Sequence, residues 1–184
     1  MTTQEIEFGT DGWRGIIAED FTIEKVRIAT QGVSNYLKRR VEGRMPLAVI
    51  GYDSRFMSDR FAAAAAEIFS LNDIKVILSE KITPTPMLST AVVNREADLG
   101  IMITASHNPY YYNGYKIKGP FGGSATMDII AGIEKEISQV NENPEKSKAL
   151  WERRKSIPGN ITLDDFTGEY IKHAMEQVDG EILK

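Results

Sequence analysis

Cysteine is absent from this 184-residue chain, so neither a disulfide framework nor a thiolate metal site can be built from it. Histidine is scarce: only His107 and His173 occur, and no carboxylate cluster is evident. A metal site made of protein ligands alone is therefore not expected. A basic surplus is missing too. The 22 Lys and Arg face 26 Asp and Glu, and a net charge of −4 argues against a nucleic-acid partner. Neither end carries an apolar run long enough for a signal peptide or a membrane span, so a cytoplasmic protein without a membrane partner is the expectation. On that ground the sequon Asn160-Ile161-Thr162 is discounted. No GK[ST] phosphate loop, GxGxxG turn, GxSxG nucleophile elbow or internal repeat occurs.

What is present is ordinary for a soluble globular protein: 42% hydrophobic and 26% charged residues. The length suggests one domain, or one domain and a piece of a second. Near the start a strand candidate, Glu5 to Phe8, leads into Gly9-Thr10-Asp11-Gly12-Trp13-Arg14-Gly15. From spacing alone this is a glycine-rich turn; its functional alternative is a loop that presents Arg14 to an anion.

Thr22 to Arg40 then reads as a helix capped by Thr22, with Glu24 in its first turn and Lys38, Arg39 and Arg40 in its last. Ile23, Val26, Ala29, Val33 and Leu37 fall on one face. The continuous apolar run from Pro46 to Tyr52 predicts a strand buried on both faces, ending in Asp53-Ser54-Arg55. Arg55 is either a structural partner of Asp53 or a site residue, and the structural role is favoured. Ser58 or Asp59 should cap a helix to Leu71, and Ile74–Leu78 is the next strand. Thr85 and Pro86 open a third helix, to about Arg95, followed by a strand over Leu99–Thr104. This alternation implies α/β layers around a largely parallel sheet.

The segment from Gly100 to Gly123 carries the candidate chemistry. An apolar strand breaks into Thr104-Ala105-Ser106-His107-Asn108-Pro109, so Ser106 and His107 sit at the strand's C-terminal mouth, where open α/β sheets place ligands. Asn113-Gly114 reads as a turn before a short strand around Tyr115–Lys118, which would make the sheet mixed. Tyr110, Tyr111 and Tyr112 are assigned to loop packing rather than to a stacking platform, and His173 to the surface. Thr126 to Val140 is an amphipathic helix. From Asn141 the composition turns polar, as in a linker. Thr162-Leu163-Asp164-Asp165 resembles a capping box opening a helix to about Val178, ended by Gly180.

Two motifs, Phe8-Gly-Thr-Asp-Gly-Trp-Arg-Gly15 and Thr104-Ala-Ser-His-Asn-Pro109, together resemble the N-terminal part of the α-D-phosphohexomutase family, the phosphoglucomutases and phosphomannomutases. Gly51–Arg55, Thr83–Pro86 and Asn113–Lys116 agree in order and spacing. The resemblance implies a three-layer α/β/α domain with a mixed, mostly parallel sheet. It implies that Ser106 carries a phosphoryl group, passes it to a hexose monophosphate, and takes one back from a hexose 1,6-bisphosphate intermediate, moving phosphate between O1 and O6. Lys116 and Arg14 would be the cations beside the phosphoserine. Lys116 could also act as general acid or base, and Arg14 offers a fork for phosphate oxygens. His107 would orient the loop or the phosphate, Asn108 would also bind phosphate, and Asn108 and Pro109 would fix the loop's shape.

In that family Mg²⁺ is bound by the phosphoserine, here Ser106, together with a carboxylate-rich loop of a second domain; further domains grip the sugar. No DGDxDR-like or SGTEP-like segment occurs here. The expected organisation is a phosphoserine domain over 1–140, a linker over 141–161, and the opening helix of a second domain over 162–184. The chain is thus expected to be a fragment of a complete mutase, its partners being the remaining domains, with little turnover alone. Sugar choice would lie in those domains. Glucose or mannose phosphate is favoured by the Trp13 and Tyr110–Tyr112 context; a phosphoglucosamine mutase is the nearest alternative. A non-catalytic module that keeps the fold without the chemistry is the alternative of a different class.

Overall fold

The apolar run of residues 47–52 forms β2 (Leu47–Tyr52), whose Ala48, Val49 and Ile50 are fully buried. Around it the chain, described over residues 6–152 and 159–178 in a computed structural model, lays down five further strands. These are β1 (Trp13–Ile16), β3 (Lys75–Ser79), β4 (Leu99–Ile103), β5 (Tyr112–Lys118) and β6 (Ile161–Asp164). One sheet results, in the order β1-β5-β4-β2-β3-β6. Strands β4, β2, β3 and β6 pair in parallel, while β5 runs antiparallel to both β4 and β1.

On one face lie α1 (Ile23–Arg40), α2 (Ser58–Leu71) and α4 (Met127–Glu142). As the periodicity predicts, Val26, Ala29, Val33 and Leu37 of α1 are buried there, with Ile23 partly so. A fully buried aliphatic side chain contributes about 1.5–3 kcal/mol. The Thr22 hydroxyl accepts the Lys25 N–H at 3.2 Å, which satisfies one of the helix's free donors. On the opposite face α3 (Thr85–Asn94) and α6 (Thr167–Glu176) cover Val49 and Met102. The expected three-layer α/β/α architecture with a mixed, mostly parallel sheet is observed.

Several local expectations are corrected. The glycine-rich segment is not simply a turn, because β1 begins inside it; residues 6–8 form no strand, and Glu5 lies outside the described residues. Ser58 does not cap α2. Met57 takes the left-handed cap position (φ 61°), while the Ser58 hydroxyl donates to Asp53 Oδ1 at 2.8 Å. Asn113-Gly114 is not a turn but the buried interior of β5. A Cβ on Gly114 would stand 2.6 Å from the Thr104 carbonyl and 2.9 Å from that of Trp13, so glycine serves close backbone approach here. Tyr110 is 85% exposed, yet its ring meets that of Tyr111 edge-on at 5.4 Å and Tyr111 lies 5.1 Å from Tyr112, so the three rings pack on one another.

The polar stretch after Asn141 includes a helix, α5 (Pro144–Glu152). Residues 162–164 belong to β6, and the following helix starts at Thr167, where Asp165 Oδ1 accepts the Thr167 N–H at 3.0 Å. Gly180 lies outside the described residues. Helix α6 rests on α3 through Phe166 and Tyr170, while Leu163, Ile171, Met175 and Val178 are exposed.

Candidate active site

Strand β4 ends against β5, with the Thr104 N–H donating to the Gly114 carbonyl at 3.0 Å. The buried Thr104 hydroxyl then accepts the Ser106 N–H at 3.0 Å. Ser106 is left-handed, with φ of 54°. For a residue with a Cβ that conformation costs about 1–2 kcal/mol, and such outliers gather at functional sites. It leaves Ser106 exposed, with its hydroxyl oxygen accepting from the Lys116 ammonium at 2.7 Å.

Lys116 lies within β5 opposite Met102 and is only 4% exposed. Its ammonium also donates to Asp11 Oδ2. Asp11 can lie this close to β5 because Gly12 follows it: φ there is +98°, and a Cβ would stand 2.6 Å from the Tyr115 carbonyl. Arg14, on β1, stands 3.6 Å from Asp11 and donates to Asn108 Oδ1 at 2.9 Å. Lys118, two residues beyond Lys116 and also buried, reaches the Ser124 hydroxyl at 3.4 Å. That hydroxyl donates to Asp11 Oδ1 at 3.3 Å.

The electrostatics follow from this crowding. Partial burial would raise the Asp11 carboxyl, but the Lys116 hydrogen bond and charge, helped by Lys118 and Ser124, hold it below the usual carboxylate range. Burial pushes the Lys118 ammonium below its ordinary value, with Asp11 opposing and Lys116 adding to the fall. Arg14, Lys116 and Lys118 thus gather around one carboxylate beside an exposed hydroxyl. A phosphoryl ester on Ser106 would bring nearly two negative charges into that surplus.

Residues 5–144 match the family model described as phosphoglucomutase/phosphomannomutase, alpha/beta/alpha domain I. The chain belongs to that family. The phosphoglucomutase of Staphylococcus epidermidis (strain RP62A) is 39% identical over 141 residues, covering 73% of this chain and 25% of its own. That of Staphylococcus aureus (strain USA300) is 34% identical, covering 95% of this chain and 32% of its own. The chain therefore spans a quarter to a third of the length of these relatives. A Thermus thermophilus structure named as a phosphomannomutase superposes with a TM-score of 0.83 at 32% identity, over 98% of this chain and 38% of that one.

Of the residues singled out in the sequence, Ser106, Lys116, Arg14 and Asn108 come together. His107 is adjacent but exposed, and no hydrogen bond or ion pair of its side chain is found among the described residues. His173 is exposed on α6. Two residues escaped the sequence reading, Asp11 and Lys118; Arg55, favoured there as a structural partner of Asp53, has contacts that reach well past it into the Ser106 loop. Asp11 lies inside the Phe8–Gly15 motif, and Lys118 continues the alternation begun at Lys116. Either could have been found by asking which charges share a face. Among the described residues no group of three or more His, Cys, Asp or Glu could hold a metal ion, and Asp11 is already engaged by Lys116. These side chains alone do not fit a Mg²⁺ site. No helix among the described residues is long and apolar enough to cross a membrane.

Proposed function

We propose that this chain is the phosphoserine-bearing domain of a phosphohexomutase that interconverts the 1- and 6-phosphates of glucose or mannose. The observation that carries the reading is the Lys116 ammonium 2.7 Å from an exposed, left-handed Ser106 hydroxyl. Phosphoryl transfer needs in-line placement and charge neutralisation more than covalent activation. When a hexose 1,6-bisphosphate meets Ser106, the bond from Ser106 oxygen to phosphorus forms. The bond from phosphorus to sugar oxygen breaks, and the hydroxyl proton ends on the sugar. As an ammonium, Lys116 can relay that proton only by giving one of its own to the sugar oxygen as it takes that of Ser106. It is also placed to neutralise the phosphoryl oxygens. Arg14, seated by Asn108, offers its fork to the same oxygens. His107 orients the loop or the phosphate.

Mg²⁺ is the cofactor this reading implies, adding positive charge at the phosphoryl group. Among the residues described, only a phosphate on Ser106 would serve it as ligand, and no step here runs through it. The second domain would be entered through α6. The hydrogen bonding of β6 to β3 favours counting residues 161–164 with the first domain. The other partners are a hexose phosphate and the remaining domains, which would select the sugar.

The test is intact mass before and after incubation with a hexose 1,6-bisphosphate and Mg²⁺, beside Ser106→Ala. The expected result is one added phosphoryl group on the wild type alone. Equal gain on Ser106→Ala, or no gain on the wild type even with the missing domains supplied, would reject the reading.

A further inference from the structure

Arg55 makes an unusual set of contacts for a residue just past the end of a strand. A guanidinium has five N–H donors in a fixed plane. The Arg55 Nε lies 3.2 Å from Asp53 Oδ2. One terminal nitrogen donates to the carbonyls of Pro109 at 2.8 Å and Tyr112 at 3.1 Å. The other donates to those of Ser106 at 2.7 Å and Asn108 at 2.8 Å. Four of the five donors thus bond to carbonyls inside the protein, the Nε faces the Asp53 carboxylate, and the side chain is only 13% exposed. No terminal N–H is left for a substrate phosphate.

The acceptors are four carbonyls of one loop, the loop that bears Ser106. Their convergence on a single cation offsets their partial negative charge at the root of a segment that would have to carry a phosphoryl dianion. It also fixes the peptide plane that follows the left-handed Ser106, and those after Asn108, Pro109 and Tyr112. Asn108 is held twice, its carbonyl by Arg55 and its side-chain oxygen by Arg14 at 2.9 Å. The placement of Arg14 is thereby tied to Arg55. Asp53 is fixed in turn, since its Oδ1 accepts from the Arg55 N–H at 3.0 Å and the Ser58 hydroxyl at 2.8 Å. The Asn113 side chain donates to that same hydroxyl at 2.9 Å, which connects the clamp to β5.

We propose that Arg55 is the positioning residue of the Ser106 loop, setting the rate at which Ser106 accepts a phosphoryl group without touching substrate or phosphate. The inference rests on the phosphoserine reading for its chemistry and on geometry alone for the clamp. Lysine cannot replace Arg55, because three tetrahedral donors cannot serve four carbonyls and a carboxylate.

The test uses the 184-residue chain with Arg55→Lys, which keeps the charge, and Asp53→Asn, which weakens only the clamp's anchor. Two quantities are read. One is hydrogen exchange of the Asn108 and Tyr112 amides, whose N–H groups donate to the Ala105 and Pro109 carbonyls at 3.0 Å each. The other is the rate and half-saturating concentration for phosphoryl gain from a hexose 1,6-bisphosphate. Arg55→Lys is expected to speed loop exchange at least tenfold while α1 exchange stays as in the wild type. It should slow phosphoryl gain at least tenfold with half-saturation little changed, and Asp53→Asn should do both to a lesser degree. Unchanged loop exchange overturns the clamp whatever the chemistry does. Looser exchange with an unchanged rate overturns the positioning role. A wild type that gains no phosphoryl group even with the remaining domains supplied counts against the functional reading instead, and exchange then decides the clamp by itself. Should Arg55→Lys fail to fold by circular dichroism, Asp53→Asn is judged by the same two readings.

Discussion

Asp11 and Lys116 lie 105 residues apart in the sequence and form an ion pair beside Ser106. The lysine is the buried member and the aspartate the partly exposed one, with side-chain exposures of 6% and 41%. Removing the lysine therefore strips Ser106 of its nearest cation and Asp11 of its main partner. Lys116→Met is expected to slow phosphoryl gain by roughly 10²-fold or more, the range for losing a proton-transfer group or a charge stabiliser. It should also move the Asp11 carboxyl up from its depressed value. His107→Gln should stay within about tenfold of the wild type, since the exposed His107 side chain makes no hydrogen bond or ion pair among the described residues and supplies no proton transfer. Timed intact-mass spectra of the two variants make the comparison, and a larger loss from His107→Gln would reverse the roles.

Gly114→Ala tests close packing beside the site. The added methyl would meet backbone oxygens from Thr104 and Trp13, neither of which can turn aside as a side chain end would. A cost of about 1–3 kcal/mol is expected, as for other overpacked sites. Urea unfolding should show it as a lower midpoint at unchanged slope. An unchanged midpoint would mean that β1 and β4 move apart easily.

The local reading of Asn113-Gly114 as a turn failed because sequence shows that a glycine is permitted but not why it is needed. The same limit explains Ser58 and Thr162. Both lie in patterns that resemble helix caps. Tertiary partners claimed them instead, the Asp53 and Asn113 side chains in one case and the β3 backbone in the other. Where one helix face decided the matter, as along α1, residue spacing was enough, and the Thr22 cap was legible to the residue. The site divided in the same way. Ser106, Lys116, Arg14 and Asn108 lay in recognisable motifs. Lys118 continued the alternation from Lys116, whereas Arg55 acts through carbonyls 51 to 57 residues away, which spacing does not display.

Asp98 offers a test by pH. Its partial burial would raise the carboxyl. The Arg44 fork at 2.6 and 2.8 Å and the Leu47 N–H at 2.8 Å outweigh that and hold it below the usual range. A depressed folded value contributes stability that is present above the unfolded value, about 3.9, and is lost as pH falls through the folded one. Asp98→Asn should lower Tm at pH 7 by about 2–4 °C, and the gap should close below about pH 4. A gap that persists at about pH 2, below the range in which the carboxylate is charged, would point to shape rather than charge.

Arg95 joins three elements. From the end of α3 it pairs with Asp164 of β6 at 2.6 Å and with Glu169 of α6, and it lies 4.7 Å above the Phe166 ring. Arg95→Met is expected to raise hydrogen exchange across residues 161–176 by roughly tenfold or more and to leave α1 near its wild-type rate, since regions open as separate units. A uniform increase across the chain would instead make Arg95 part of the global core.

Strand β6 occupies the far side of β3, and residues 76–79 of β3 have no other partner on that side. The family match ends at residue 144, before β6 begins. A recombinant protein cut at that point would keep every candidate site residue yet leave β3 with a row of unpaired amides and carbonyls. Such a row is a template for intermolecular strand addition. Self-association of the shortened protein is thus to be expected for reasons that have nothing to do with catalysis, and the boundary useful for solubility lies beyond Asp164.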